Sequence, residues 1–269
     1  MDKKNIVLIF LIVILVYFLF FYGLSKRDLW DPDEGRYAEI AREMIERGDY
    51  ITPTLNYENY NKKPPLYFWL SVISYKLFPN KDYAPRYVSA LFGTGCVLFV
   101  LFAGTRLFCF ESGIFSALIL LTSLEFIALS RAIVTDMILT FFITAAILSF
   151  FIFSLKLSSK YEIFKYLLFI FSGLAFMSKG PLGIIVPSLV ILSYILAFRD
   201  FSKIRDLLRP INILLFLLVV LPWYVISTIK TPGFLYDNLI YENVMRYFTN
   251  VHERSGSIFY YIPVILGGF

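Results

Sequence analysis

The chain has 269 residues, 58% of them hydrophobic, with 29 phenylalanines and a mean hydropathy of +0.71. A soluble domain of this length would expose too much apolar surface, so the composition indicates a polytopic membrane protein. One histidine and two cysteines exclude a histidine-rich metal site and a disulfide framework, and a net charge of +5 in such a chain is not a nucleic-acid signal.

Seven apolar windows approach or reach the length of about 20 residues that a membrane-spanning helix needs. No small-residue cleavage site follows the first window, which predicts an uncleaved anchor. An eighth window begins near Ile258 and the sequence stops inside it, so we expect the N-terminal part of a longer architecture, folded as one transmembrane domain over 1–269. The predicted spans are 6–24, 85–108, 113–130, 133–155, 164–177, 182–198 and 211–229.

Basic residues predict which ends of these spans face the cytoplasm. With Lys3 and Lys4 inside, the inner segments hold ten Lys/Arg against five Asp/Glu, whereas the outer segments are balanced. Short cytoplasmic loops carry such an excess of basic residues. We therefore expect a plasma-membrane protein with a cytoplasmic N-terminus and all its unusual polar clusters on the extracytoplasmic face.

The first outer loop, 25–83, is unusually long and polar for a connection between two spans. Asp31 as the cap, Pro32 as the first helical residue and Glu34 three residues after the cap predict a helix start, and Gly48 predicts its end. Apolar residues recur at helical spacing between them, so we expect an amphipathic helix lying along the membrane surface. Two ion pairs are predicted on its polar face, Arg42–Glu46 and Glu43–Arg47, and a second helix is predicted over 66–78.

Several polar residues of the outer segments have two possible roles each, one structural and one functional. Asp33 is not needed as a cap, so it is either a first-turn acid or a catalytic carboxylate. The Lys62-Lys63 pair is either a solvated turn or a binding site for a lipid phosphate. The Arg131–Asp136 corner is either a boundary ion pair or part of a site, and Glu125, inside a span, is expected to face a cavity or a partner.

A single outer cavity could gather these groups. Its carboxylates would accept a proton from a hydroxyl or orient a nucleophile, and its cations would stabilise a phosphate leaving group. Because nucleotides are not supplied on this face, a phosphate-activated donor there would be linked to a lipid. The carboxylates are Asp33 and Asp136, and the cations are Arg36, Lys63, Arg131 and Lys179.

Five sequence blocks resemble the GT-C glycosyltransferases of the aminoarabinose-transferase-like and protein-mannosyltransferase-like kind. They are DPDEGRYAEIAREMIERGDYITPTLNYENYNKKPPLYFWL, SRAIVTDM, GLAFMSKGPLGIIVP, LPWYV and GFLYDNLIYENVMRYFTNVHERSGSIFYYIP. The resemblance implies an all-α polytopic GT-C fold with seven to eight spans. It also implies inverting transfer of a sugar from a polyprenyl-phosphate donor to a lipid, glycan or protein acceptor in the cell envelope.

The same resemblance implies roles for individual residues. Asp33 corresponds to the general base or nucleophile-positioning acid, and Asp136 to a second active-site carboxylate. Arg36, Lys63 and Lys179 are implied to hold the donor phosphate. Accessory candidates are Glu34, Tyr37, Lys62, Arg131, His252 and Arg254.

Two departures and two alternatives accompany this interpretation. Some relatives carry an acid before the Lys-Pro-Pro that helps to bind a divalent metal with a histidine, and Lys62 at that position argues against a metal here. Relatives are also longer. The alternatives are a membrane transporter or lipid flippase, which should show internal repeats and broken spans, and an inactive truncated copy.

Overall fold

The computed structural model describes residues 3–79, 81–154, 162–245 and 261–268. This part of the chain is mostly helical and contains one antiparallel hairpin, β1 (Thr54–Leu55) with β2 (Glu58–Asn59). The helices are α1 (Lys3–Val16, continued by a π-helical segment Tyr17–Phe21), α2 (Asp33–Arg47), α3 (Leu66–Leu77), α4 (Arg86–Leu107), α5 (Phe110–Thr122), α6 (Leu124–Ser130), α7 (Asp136–Ser154), α8 (Ile163–Lys179), α9 (Leu182–Phe198), α10 (Ser202–Leu207), α11 (Pro210–Lys230), a second π-helical segment (Tyr236–Met245) and α12 (Tyr261–Gly268).

Prolines mark where many of these helices begin. A proline directly precedes α2, α3, α4 and α9, and Pro210 is the first residue of α11. Proline suits a helix start because its fixed φ is already helical and its missing N–H would have no partner there. The predicted end of α2 is confirmed, since Gly48 follows it with φ +65°, the left-handed conformation that glycine adopts most easily.

The predicted spans correspond to helices, but one of them is not straight. Helices α4, α7 and α11 are long and apolar enough to cross a membrane, whereas α1 with its π-helical extension and α9 are apolar but shorter. Window 113–130 was predicted as one span and is instead two helices, α5 and α6, which meet at 73°. Ser123 lies at the break, and its hydroxyl donates to the carbonyl of Gly268 in α12 at 2.9 Å.

Helix α2 has the predicted amphipathic pattern, but protein covers its apolar face. Ile40, Ala41 and Met44 are fully buried, in one core with Phe68 of α3 and Ile138 of α7. An interfacial helix would instead bury this face among lipid headgroups. Helix α2 is therefore a part of the core that the transmembrane helices also build. Its orientation along the membrane surface stays a prediction.

Of the two ion pairs predicted on α2, one forms. Arg42 binds Glu46 at 2.6 Å on the exposed face. Glu43 does not pair with Arg47, because its carboxylate is buried and accepts hydrogen bonds from the Thr54 hydroxyl (2.5 Å) and the Tyr57 N–H (3.2 Å). Glu43 therefore holds the hairpin against α2, although helical spacing predicted that this residue would lie on the exposed face.

The polar corners gather at one end of the helix bundle. Asp49, after α2, pairs with Lys230 at the end of α11 (3.4 Å), and the Ile51 carbonyl accepts a hydrogen bond from the Trp223 indole (2.9 Å). The main-chain N–H of Ile133, between α6 and α7, binds Glu34 of α2 at 2.9 Å. Segments far apart in sequence therefore surround the first loop, as the sequence predicted.

Candidate active site

Two consecutive carboxylates begin α2 and have opposite surroundings. The Asp33 side chain is 57% exposed, whereas that of Glu34 is 4% exposed. Successive residues of a helix point about 100° apart, so one acid faces the open side of the loop and the other faces the bundle. The first turn of α2 therefore supplies both an accessible carboxylate and a buried one.

Glu34 binds Arg86, the first residue of α4, through both carboxylate oxygens. The guanidinium donates from Nε to Oε1 at 3.0 Å and from Nη2 to Oε2 at 2.6 Å, and both side chains are buried. The main-chain N–H groups of Trp30 (2.8 Å) and Ile133 (2.9 Å) donate to the same carboxylate. Burial alone would raise the pKa of Glu34, but Arg86 and the two N–H groups together hold that pKa below its ordinary value.

Arg86 also fixes the segment that leads into α2. Its guanidinium donates to the main-chain carbonyls of Leu24 (2.8 Å), Arg27 (2.6 Å) and Asp28 (2.8 Å). The predicted capping box is therefore wrong: α2 begins at Asp33, so Asp31 is not its cap, and Glu34 binds across the bundle as well as to Trp30. Glu34 therefore holds in place the helix on which Asp33 lies.

Asp33 pairs with Arg36 one turn later, at 3.3 Å, and both side chains are partly exposed. The Arg36 guanidinium also contacts the phenol of Tyr60, next to the Lys62-Lys63 turn. Burial raises the pKa of Tyr60 to about 12, and Arg36 partly opposes that rise. Tyr60 is thus a neutral hydroxyl beside the candidate base at physiological pH.

Tyr37, on α2, packs in the core that this helix shares with the start of α7. Burial raises the pKa of its phenol, and the charges of Asp33 and Asp136 add to the rise while Arg36 opposes it. These groups come from α2 and from the start of α7, so the fold brings Asp33 and Asp136 within electrostatic reach of one tyrosine. The sequence predicted that Asp33, Lys63 and Asp136 converge in one cavity, and this convergence stays a prediction.

The second carboxylate, Asp136, pairs with Lys179 at the end of α8. The Nζ–Oδ1 distance is 2.5 Å, and both side chains are partly exposed. The Arg131–Asp136 boundary pair offered by the sequence does not form, because Arg131 donates instead to the carbonyls of Leu19 (2.7 Å) and Tyr22 (2.9 Å). Arg131 therefore ties the end of α6 to the end of the first apolar helix.

The turn that carries the lysine pair lies directly beside Tyr60. Lys62 is exposed and Lys63 is half-buried, just before Pro64-Pro65. In the part of the chain that the structure describes, no three His, Cys, Asp or Glu side chains are grouped as a metal site. A divalent cation needs such donors, and at the position before Lys63 the side chain of Lys62 offers a positive charge instead. His252 and Arg254 lie outside the described residues.

Two residues of this region, Arg86 and Tyr60, were not predicted from the sequence. Arg86 directly follows Pro85 at the start of an apolar span, where a basic side chain is normally read as a membrane anchor. Tyr60 is one of 19 tyrosines in the chain, and nothing in its local pattern separates it from the others. Only the buried Glu34–Arg86 pair and the packing of Tyr60 on Phe68 of α3 identify them.

Known proteins resemble this chain along most of its length. The family model described as dolichyl-phosphate-mannose-protein mannosyltransferase matches residues 5–236. Proteins named undecaprenyl phosphate-alpha-4-amino-4-deoxy-L-arabinose arabinosyl transferase are similar to it: that of Aeromonas hydrophila is 32% identical over 259 residues, covering 94% of this chain and 47% of the relative, and that of Serratia proteamaculans is 30% identical, covering 95% and 46%.

A solved structure has a fold similar to that of this chain. The crystal structure of ArnT from Cupriavidus metallidurans bound to undecaprenyl phosphate superposes with a TM-score of 0.91 at 30% identity, over 97% of this chain and 48% of the other. The chain spans about half the length of the curated relatives it matches.

Proposed function

Because the chain belongs to the dolichyl-phosphate-mannose-protein mannosyltransferase family, we propose that it transfers a sugar from a polyprenyl-phosphate donor to a lipid, glycan or protein acceptor. Its all-α, multi-pass membrane fold is the GT-C fold that the sequence led us to expect. The names of its relatives support undecaprenyl phosphate as the donor lipid, and they favour transfer over transport. We place the reaction on the extracytoplasmic face, as the distribution of basic residues predicts.

One observation carries this proposal: two partly exposed carboxylate–cation pairs, Asp33–Arg36 and Asp136–Lys179, lie at the starts of α2 and α7, two helices that pack in the same core. Sugar transfer from a phosphate needs both kinds of group. A carboxylate takes the proton of the acceptor hydroxyl, and cations stabilise the charge that develops on the departing phosphate.

In the proposed reaction the acceptor oxygen attacks the anomeric carbon from the side opposite the phosphate. Its proton passes to Asp33, and the bond between the anomeric carbon and the phosphate oxygen breaks, which inverts the configuration at that carbon. Arg36, Lys63 and Lys179 hold the phosphate as its negative charge grows. Asp136 is the second carboxylate of the site.

The ion pairs suggest how donor binding prepares the base. A donor phosphate competes with Asp33 for Arg36 and with Asp136 for Lys179. Both pairs are partly exposed, so exchanging one anionic partner for another costs little free energy. A carboxylate that loses its cation has its oxygens free to accept the proton of the acceptor hydroxyl.

The test is the Asp33→Asn variant in lipid vesicles supplied with an undecaprenyl-phosphate-linked sugar. We expect transfer to fall by about a hundred- to ten-thousand-fold, the usual range for losing a general base, with an unchanged unfolding midpoint. Asp31→Asn, two residues earlier and outside the helix, is the matched control and keeps normal transfer. Near-normal turnover of Asp33→Asn would show that another group takes the proton.

A further inference from the structure

A buried asparagine, Asn238 in the second π-helical segment, connects two outer segments of the chain. Its side chain is 1% exposed, and both ends of the amide are used. Nδ2 donates to the main-chain carbonyl of Asn61 at 2.8 Å, and Oδ1 accepts a hydrogen bond from the Tyr224 hydroxyl of α11 at 2.8 Å. Asn238 thus joins α11 to the residue immediately before the Lys62-Lys63 turn.

Two further contacts strengthen the connection to that turn. The Asn61 side chain donates to Asp237 at 3.1 Å, so residues 61 and 237–238 meet through two hydrogen bonds that run in opposite directions. Such a pair fixes the position and the rotation of a short turn better than one bond does. The turn's position therefore depends on the π-helical segment as well as on its own prolines.

The same asparagine connects to the corner that holds Lys179. The side chain of Asn243 donates to the main-chain carbonyl of Asn238 at 2.6 Å. Gly180, with φ +83°, lies beside the Asn243 amide, where an added Cβ would be in ordinary van der Waals contact with it at 3.6 Å. Asn243 is therefore a neighbour of the Lys179-Gly180 corner and of Asn238, which in turn binds Asn61.

We propose that Asn238 is a positioning residue that sets the spacing between two phosphate-binding lysines, Lys63 and Lys179. This inference rests on the proposed function, in which both lysines hold the donor phosphate. Lysine side chains are long and flexible, so the main chain must fix their starting points if both are to reach one phosphate. Asn238 reaches one corner through Asn61 and the other through Asn243.

The Asn238→Asp variant tests this role with almost no change in volume. The amide donor becomes an oxygen that repels the Asn61 carbonyl, so the Lys62-Lys63 turn loses its attachment. We expect the affinity of the purified protein in lipid nanodiscs for undecaprenyl phosphate to fall about tenfold, equivalent to one misplaced contact of ordinary strength. Affinity for undecaprenol, which has the same chain and no phosphate, should stay within about twofold.

Asn212→Asp is the matched control. Asn212 is also fully buried, and its amide donates to the carbonyls of Asp206 (2.9 Å) and Leu207 (3.0 Å) at the junction of α10 and α11. Its substitution should lower the unfolding midpoint without moving the affinity for undecaprenyl phosphate. Tyr224→Phe removes a single hydroxyl from the Asn238 network, and we expect a smaller loss of affinity in the same direction, which keeps the test valid if Asn238→Asp does not fold.

The outcomes separate this inference from the proposed function. If Lys63→Ala and Lys179→Ala leave phosphate affinity unchanged, the donor-binding roles fail and this inference fails with them. If those variants weaken binding but Asn238→Asp and Tyr224→Phe do not, only the positioning role is overturned. If Asn238→Asp weakens undecaprenol and undecaprenyl phosphate equally, the residue serves general stability and the proposal is wrong.

Discussion

Asp33 and Glu34 are neighbours in the chain with the same functional group, yet the fold uses them differently. Glu34 is buried and receives hydrogen bonds from Arg86, Trp30 and Ile133, so its oxygens have little capacity left for a substrate. Asp33 is largely exposed, and among the described residues it makes one long ion pair, at 3.3 Å with Arg36. The Glu34 carboxylate therefore stabilises the fold, whereas the exposed Asp33 carboxylate is accessible to another cation or to a substrate.

The comparison shows why the residue type alone does not assign a role. A buried, fully hydrogen-bonded ion pair is costly to break from one side, because it leaves an uncompensated charge away from water. A partly exposed ion pair contributes little to stability and can be given up when a ligand arrives. The two regions should therefore respond in opposite ways to the loss of one partner.

The largest effect is expected from Arg86→Met, which leaves the Glu34 carboxylate buried without its cation. We expect the free energy of unfolding to fall by about 3–5 kcal/mol, measured by denaturant titration in detergent. The double variant Glu34→Gln with Arg86→Met should recover a part of this loss because no buried charge remains. A loss below about 1 kcal/mol for the single variant would contradict the structural role of the pair.

The same pair predicts a dependence on pH. The pKa of Glu34 is lower in the folded state than its ordinary value, so its contribution to stability is present at neutral pH. That contribution is lost as the pH falls through the lowered pKa, where the carboxylate takes up a proton. Acid titration should therefore destabilise the parent protein more than the Glu34→Gln variant, in which no carboxylate remains at this position.

An intermediate effect is expected from Asp136→Asn, which should strengthen the binding of undecaprenyl phosphate rather than weaken it. Removing the carboxylate frees Lys179 for the donor, so the affinity for undecaprenyl phosphate should rise by about two- to fivefold, the equivalent of a partly exposed ion pair. Asp206→Asn breaks a matched pair, Asp206–Arg209 at 2.6 Å, and should leave this affinity unchanged. Weaker binding by Asp136→Asn would argue against partner exchange.

The smallest effect is expected from Arg42→Ala. Arg42 binds Glu39 at 2.7 Å and Glu46 at 2.6 Å, but all three side chains are substantially exposed. Exposed pairs contribute about 0–1 kcal/mol, so the unfolding midpoint should hardly move and sugar transfer should stay normal. A large fall in the unfolding midpoint or in sugar transfer would contradict this prediction, because these exposed ion pairs would then contribute more than about 1 kcal/mol.

Local patterns predicted the loop's helices well. The existence of α2 and α3, the glycine that ends α2 and the Arg42–Glu46 pair follow from propensity, prolines and helical spacing, and the structure confirms them. The same patterns misassigned Glu34, Glu43 and Arg131, whose partners lie on the other side of a packed interface. Spacing along one helix cannot identify an acceptor contributed by another helix, so each of these groups was given the nearest plausible role.

Hydrophobic content, the positions of prolines and the order of polar blocks already determine that this chain is a helical membrane protein with an unusually polar first loop. Those properties are local, so they can be read without knowing which helices touch. The tertiary structure alone decides which acid is buried with Arg86, where window 113–130 bends, and that Asp136 meets Lys179 rather than Arg131. These features depend on burial and on contacts between residues distant in sequence. Both exist only once the helices have packed against one another.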